Sequence, residues 1–105
     1  MNLRMLLLNS LYYIVAQDGS SYTIRFDGSH PIFAGHFPGQ PVVPGACLIQ
    51  IAEELASMQA GHTVRFTALR NLKFRQPVTP DKQVTITIAN GKIDIDPYMC
   101  ACADL

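Results

Sequence analysis

PGACLIQIAEELASMQAG, residues 44–61, is the stretch whose reading decides the architecture. Pro44-Gly45 opens it, Gly61 stands where a helix stops, and residues 45–60 between them read as one helix. Its apolar residues Ala46, Cys47, Leu48, Ile49, Ile51, Ala52, Leu55, Ala56 and Met58 cover most of the circumference. At helical spacing, Gln50, Glu53, Glu54 and Ser57 leave only a narrow polar stripe. A helix of this kind has to be wrapped by other elements.

The flanks supply the wrapping. Leu11 to Gln17 is rich in tyrosine and β-branched residues; Asp18-Gly19 makes a turn, and Tyr22 to Phe26 alternates, so an N-terminal hairpin is expected. Ser29 to Gly45 carries Pro31, Pro38, Pro41 and Pro44 with Gly35, Gly39 and Gly45, the composition of a stiff loop without regular structure. After the helix, Val64–Phe74, Gln83–Ala89, Ile93–Ile95 and Tyr98–Ala103 read as strands, with Asn90-Gly91 as a turn. Thr85 and Thr87 alternate with Val84, Ile86 and Ile88, as a sheet with one buried face requires. Two strands, a long apolar helix and three or four further antiparallel strands define an α+β layer architecture.

The chain's 105 residues leave room for one domain, 1–105, and a chain this short gains core by association. Only 15% of residues are charged, which points to apolar surface hidden in a subunit interface. The formal net charge of zero argues against a general nucleic-acid binder. Five of the eight cations, Arg65, Arg70, Lys73, Arg75 and Lys82, nevertheless fall in one short stretch. Cys47, Cys100 and Cys102 are an odd number, which argues against a disulfide framework and for buried, reduced thiols; Cys100 and Cys102 share a strand face. Metal binding calls for a better ligand set than these thiols and three scattered histidines, of which His30 and His62 read as structural or surface residues. The apolar run Met5 to Leu8 is broken by Asn9 and Ser10 before it reaches the length of a signal peptide, and nothing approaches a membrane span, so a cytoplasmic location is expected.

Chemistry is concentrated in His30 to Glu54, HPIFAGHFPGQPVVPGACLIQIAEE. His36 stands between glycine and phenylalanine inside the proline-stiffened loop, which restricts its orientation. Pro44-Gly45 leads into the helix, whose first N–H groups have no partner within it and whose dipole favours developing negative charge. An imidazole near such donors can remove a proton next to a carbonyl while the donors stabilise the enolate-like charge. Glycine at 45 admits a carbonyl close to the backbone.

Gly35-His36-Phe37-Pro38-Gly39-x-Pro41-x-x-Pro44-Gly45 resembles the signature of the 3-hydroxyacyl-acyl-carrier-protein dehydratases, and Lys73-Phe74-Arg75-Gln76-Pro77-Val78-x-Pro80 is similar to that family's strand after the helix. Together they cover roughly residues 22–90. The resemblance implies a hot-dog fold, a homodimer with joined sheets, and an acyl tunnel at the interface. His36 would be the base, the Gly45 N–H would polarise the thioester carbonyl, and Phe37, Pro44, Gly45 and Ala46 would contact substrate. It implies no metal or organic cofactor, an acyl carrier protein as partner, and a place in fatty-acid or polyene-type acyl synthesis. The basic stretch Arg65 to Lys82 would either steer the acidic carrier or form a solvated strand face.

The chain departs from the family at one decisive position. The acid expected five residues after the Pro-Gly glycine is Gln50, and Glu54 stands one turn later where glutamine is usual. Positions i and i+4 share a helix face, so the carboxylate is displaced by about 6 Å along the axis. Gln50 is expected in the active site. Glu54 either serves the chemistry, directly or through Gln50 or a water, or belongs to a solvated stripe with Glu53 and Ser57. Dehydration of 3-hydroxyacyl thioesters is the leading expectation; a hot-dog thioesterase and a non-catalytic acyl-binding subunit paired with a competent homologue are the alternatives.

Overall fold

A computed structural model of the chain describes residues 5–34 and 40–104. Strand β1 (Tyr12–Asp18) and β2 (Ser21–Phe26) form the N-terminal hairpin, helix α1 spans Gly45–Ala60, and β3 (Ala68–Phe74), β4 (Val84–Ala89), β5 (Lys92–Ile95) and β6 (Met99–Asp104) follow. The six strands make one antiparallel sheet in the order β1-β2-β4-β5-β6-β3. This is the α+β hot-dog arrangement that the helix pattern and the resemblance both implied.

Period-2 alternation builds the core. Tyr22, Ile24 and Phe26 of β2, Val84, Ile86 and Ile88 of β4, Ile93 and Ile95 of β5, and Met99, Ala101 and Ala103 of β6 are all buried on one side of the sheet. Leu48, Ile51, Ala52, Leu55 and Ala56 of α1 join them in the same cluster. The polar partners Thr85 and Thr87 face the other way, where their hydroxyls meet those of Thr23 and Ser21 across the strand pair. Asn90 and Gly91 both take positive φ, +53° and +74°, as a two-residue turn between right-twisted strands requires. Gly61 ends α1 in the left-handed region and returns its N–H to the Ser57 carbonyl.

Three local expectations are corrected. Pro31–Phe33 forms a short 3-10 turn inside the loop read as irregular, with the His30 ring accepting from the Ile32 N–H. The strand expected over 64–74 begins only at Ala68. Residues 64–66 run alongside α1 instead, where Ser57 Oγ accepts from Val64 N–H at 2.8 Å and Glu53 Oε2 from Phe66 N–H at 2.8 Å. Side chains of the helix thus take the place of a strand ladder for these amides. The thiols of Cys47, Cys100 and Cys102 are free but half-exposed rather than buried. Among the described residues, no helix is long and apolar enough to cross a membrane.

Ile51, with no exposed surface, belongs to the core cluster shared by the helix and the sheet. Replacing it with alanine is expected to lower stability by about 2–5 kcal/mol in urea denaturation, the range for truncating a buried aliphatic side chain.

Candidate active site

The start of α1 is open chemically. Pro44 makes no side-chain cap, and its carbonyl is taken by the N–H groups of Cys47 and Leu48, leaving the Gly45 and Ala46 amides without a partner inside the helix. Pro44 and Gly45 are half-buried and Ala46 is exposed, so this turn is accessible. His36 and Phe37, the expected base and a substrate contact, lie outside the described residues.

One and a half turns further on, the structure brings Gln50 and Glu54 together. Gln50 Nε2 donates to Glu54 Oε2 at 2.8 Å. Glu54 is only 1% exposed, which removes it from any solvated stripe. Its carboxylate accepts from three more donors: the Leu7 N–H to Oε2 at 3.0 Å, the Leu8 N–H to Oε1 at 3.1 Å, and the Tyr12 hydroxyl to Oε1 at 3.0 Å. A carboxylate out of water costs several kcal/mol unless its lone pairs are filled, and here each oxygen has two donors. The other members of the polar stripe, Glu53 and Ser57, receive the amides of Phe66 and Val64 described above. None of this was legible from the helix alone, because spacing reports which residues share a face and not which distant backbone covers it.

Gln50 itself is half-buried. One of its two amide hydrogens is committed to Glu54, which fixes the plane of the amide and leaves the other hydrogen and Oε1 for whatever occupies the site. Two residues missed by sequence reasoning shape this region. Tyr12 had no signal beyond its place in an expected strand. Phe74 stood in the quoted Lys73-Phe74-Arg75 motif, but its ring is found against Gly45, where close approach of a substrate carbonyl was expected.

Of the basic residues, Arg65, Arg70, Lys73, Arg75 and Lys82 are all exposed. Arg70 pairs with Asp104 at the surface and Arg75 Nη2 donates to Cys100 Sγ, so these two are partly engaged.

The model of a family described as ApeI-like, ApeI dehydratase, matches residues 15–99. Among curated relatives, the 3-hydroxyacyl-acyl-carrier-protein dehydratase FabZ of Geobacter metallireducens is 39% identical over 70 residues, which is 58% of this chain and 47% of that protein. FabZ of Agrobacterium fabrum is 31% identical over 89 residues, 75% of this chain and 58% of that one. The chain thus spans about half the length of the curated relatives it matches. Among solved structures, the dehydratase heterocomplex ApeI:P from Xenorhabdus doucetiae superposes with a TM-score of 0.53 at 22% identity, covering 88% of this chain and 89% of that one. An uncharacterized protein from Erwinia carotovora subsp. atroseptica reaches 0.50 at 21% identity, with 88% of each chain covered. Both structural matches carry the fold.

The Tyr12 phenol is pushed well above its ordinary value of about 10, chiefly by burial and then by the Glu54 carboxylate beside it. Native Tyr12 therefore keeps its proton above pH 10 while the unfolded chain releases it, so its contribution to stability is complete below that pH and is lost as pH rises. Urea denaturation between pH 10 and 11.5 should show a downward slope that Tyr12→Phe reduces by about 1.4 kcal/mol per pH unit, one proton's worth. Equal slopes in the two proteins would refute the assignment.

Proposed function

The chain belongs to the ApeI-like dehydratase family, and from that premise we propose that it removes water from 3-hydroxyacyl thioesters carried on acyl carrier protein, giving trans-2-enoyl thioesters. The observation that carries the reading is the Gln50–Glu54 pair, a 2.8 Å hydrogen bond that fixes a neutral amide beyond the uncapped start of α1. In the proposed reaction the thioester carbonyl accepts from the Gly45 N–H, at the positive end of the helix, with Pro44, Ala46 and Phe37 around the acyl group. Neutral His36 takes the α-proton, and the charge moves onto the carbonyl oxygen. The β-carbon–oxygen bond then breaks; the departing hydroxyl takes the proton back from the His36 imidazolium and leaves as water. One residue serves as base and then as acid because Gln50 has no acidic proton to give and Glu54 has every lone pair engaged. Gln50 holds the 3-hydroxyl through its second N–H, and Glu54 acts through Gln50 as a positioning residue. No metal or organic cofactor enters these steps.

The exposed cations of 65–82 suit an acidic carrier protein, and the free thiols suit a reducing, cytoplasmic setting. We infer a homodimer joined edge to edge through β3, which ends the sheet and exposes Leu72 and Phe74. A second reading is favoured by the amide at 50 together with the likeness to a dehydratase heterocomplex: a different subunit supplies the missing acid.

With purified chain alone, His36→Ala is expected to lower kcat/KM for a 3-hydroxyacyl thioester by about 10²–10⁴-fold. Glu54→Gln is expected to lower kcat about tenfold with little change in KM, the loss of one charge-assisted hydrogen bond to Gln50. The pH profile of kcat/KM should rise through a single ionisation to a plateau; a bell shape would demand a second titrating acid. An inactive chain that gains turnover only with a second subunit would establish the heterocomplex reading instead. Light scattering of the isolated chain should give twice the chain mass, and a monomer would overturn the edge-to-edge dimer.

A further inference from the structure

The end of β3 lays an aromatic ring on the first residue of the helix. Arg70 pairs with Cys102 and Lys73 with Cys100, so Asn71 and Leu72 together oppose the single residue between, and Asn71 takes a φ of +55°. This bulge shifts the alternation by one. Leu69, opposite buried Ala103, faces the helix side before it, and Phe74, opposite buried Met99, faces the same side after it. The consequence appears at Gly45, where a Cβ would lie 2.7 Å from Phe74 Cζ, 3.0 Å from Cε1 and 3.3 Å from Cε2. The tip of the ring occupies the space in which residue 45 would carry a side chain.

Phe74 is not finished by this contact, since 52% of it remains exposed. It lines a cavity of about 420 Å³, apolar on the inner side at Val43, Leu48 and Val78 and open on the outer side at the exposed Arg75, Gln76 and Pro77. An aromatic ring that touches Gly45 and also walls the apolar side of this cavity bounds the volume next to a carbonyl held at the Gly45 N–H.

We propose that Phe74 is a specificity-determining residue that excludes acyl chains branched at the α-carbon. The proposal rests on the reading above, in which the Gly45 N–H holds the thioester carbonyl. A carbonyl oxygen about 2.9 Å from that nitrogen keeps its α-carbon two bonds away, beside residue 45 and within reach of the ring. An unbranched α-methylene turns only hydrogens toward Phe74. An α-methyl group has to displace the ring from Gly45 or tilt the carbonyl off its donor, and a mismatch of one carbon in an apolar site is worth about 10–200-fold in kcat/KM.

The test compares 3-hydroxybutyryl and 2-methyl-3-hydroxybutyryl thioesters of N-acetylcysteamine as substrates for the full chain and for Phe74→Ala and Phe74→Leu. Amide analogues of the same two acyl groups, which keep the carbonyl and lack the activated thioester, are titrated calorimetrically in parallel. The wild-type chain should prefer the unbranched substrate and analogue at least tenfold; Phe74→Ala should reduce the preference to under threefold, and Phe74→Leu should fall between. The same preference in all three proteins, or none in the wild type, overturns the proposal. If no substrate is turned over by the wild type alone, dehydration by the unaided chain fails while the analogue affinities still decide the role of Phe74. Should Phe74→Ala not fold, as judged by circular dichroism, Phe74→Leu decides alone.

Discussion

Four donors converge on the two oxygens of Glu54, and the rest of the molecule is organised around keeping them there. The carboxylate lies between the helix and the chain that leads into β1, and the amides of Leu7 and Leu8 have it as their acceptor. Removing it strands two backbone donors and a phenol in a buried place, each an unsatisfied group costing about 1–3 kcal/mol. The same logic runs down the helix. Glu53 and Ser57 answer the amides of Phe66 and Val64, so the polar stripe of α1 is the seam along which two irregular segments are sewn to the core.

That seam bears directly on the chemistry. A helix inserted in an apolar sheet has few places where a polar group can be both buried and satisfied, and Glu54 uses one of them fully. Gln50, one turn nearer the open end of the helix, is where the seam meets the accessible turn at Gly45 and Ala46. Its amide is held by a neighbour that cannot itself turn away, so its second N–H is fixed in direction rather than mobile.

Much of the fold was legible in the sequence because local chemistry specifies it. Pro44 and Gly61 bound the helix as expected, Asn90-Gly91 turns its hairpin, the first hairpin turns at Gly19-Ser20, one residue later than expected, and the valines and isoleucines of β4 and β5 alternate in phase with their burial. What escaped has a common cause. The strand start at Ala68, the burial of Glu54 and the ring on Gly45 all depend on partners 7 to 47 residues away, at Phe66, Val64, Leu7, Leu8, Tyr12 and Phe74. The bulge at Asn71 was equally invisible, since it reverses a pattern that reads as continuous in Ala68 to Phe74. Within the candidate site, the types at 50 and 54 were readable and the burial of Glu54 beneath Leu7, Leu8 and Tyr12 was not.

The neutrality of position 50 has an evolutionary consequence. A glutamate there would meet the Glu54 carboxylate at the distance now spanned by the Gln50 hydrogen bond. Two carboxylates so close hold one proton between them rather than both ionising. Placing an acid at position 50 would therefore create a shared-proton pair unless position 54 changed with it. Yet position 54 is tied to Leu7, Leu8 and Tyr12. The amide and the buried acid are thus an evolutionary ratchet: each residue alone resists replacement, and the two can be exchanged only together with the chain that covers them.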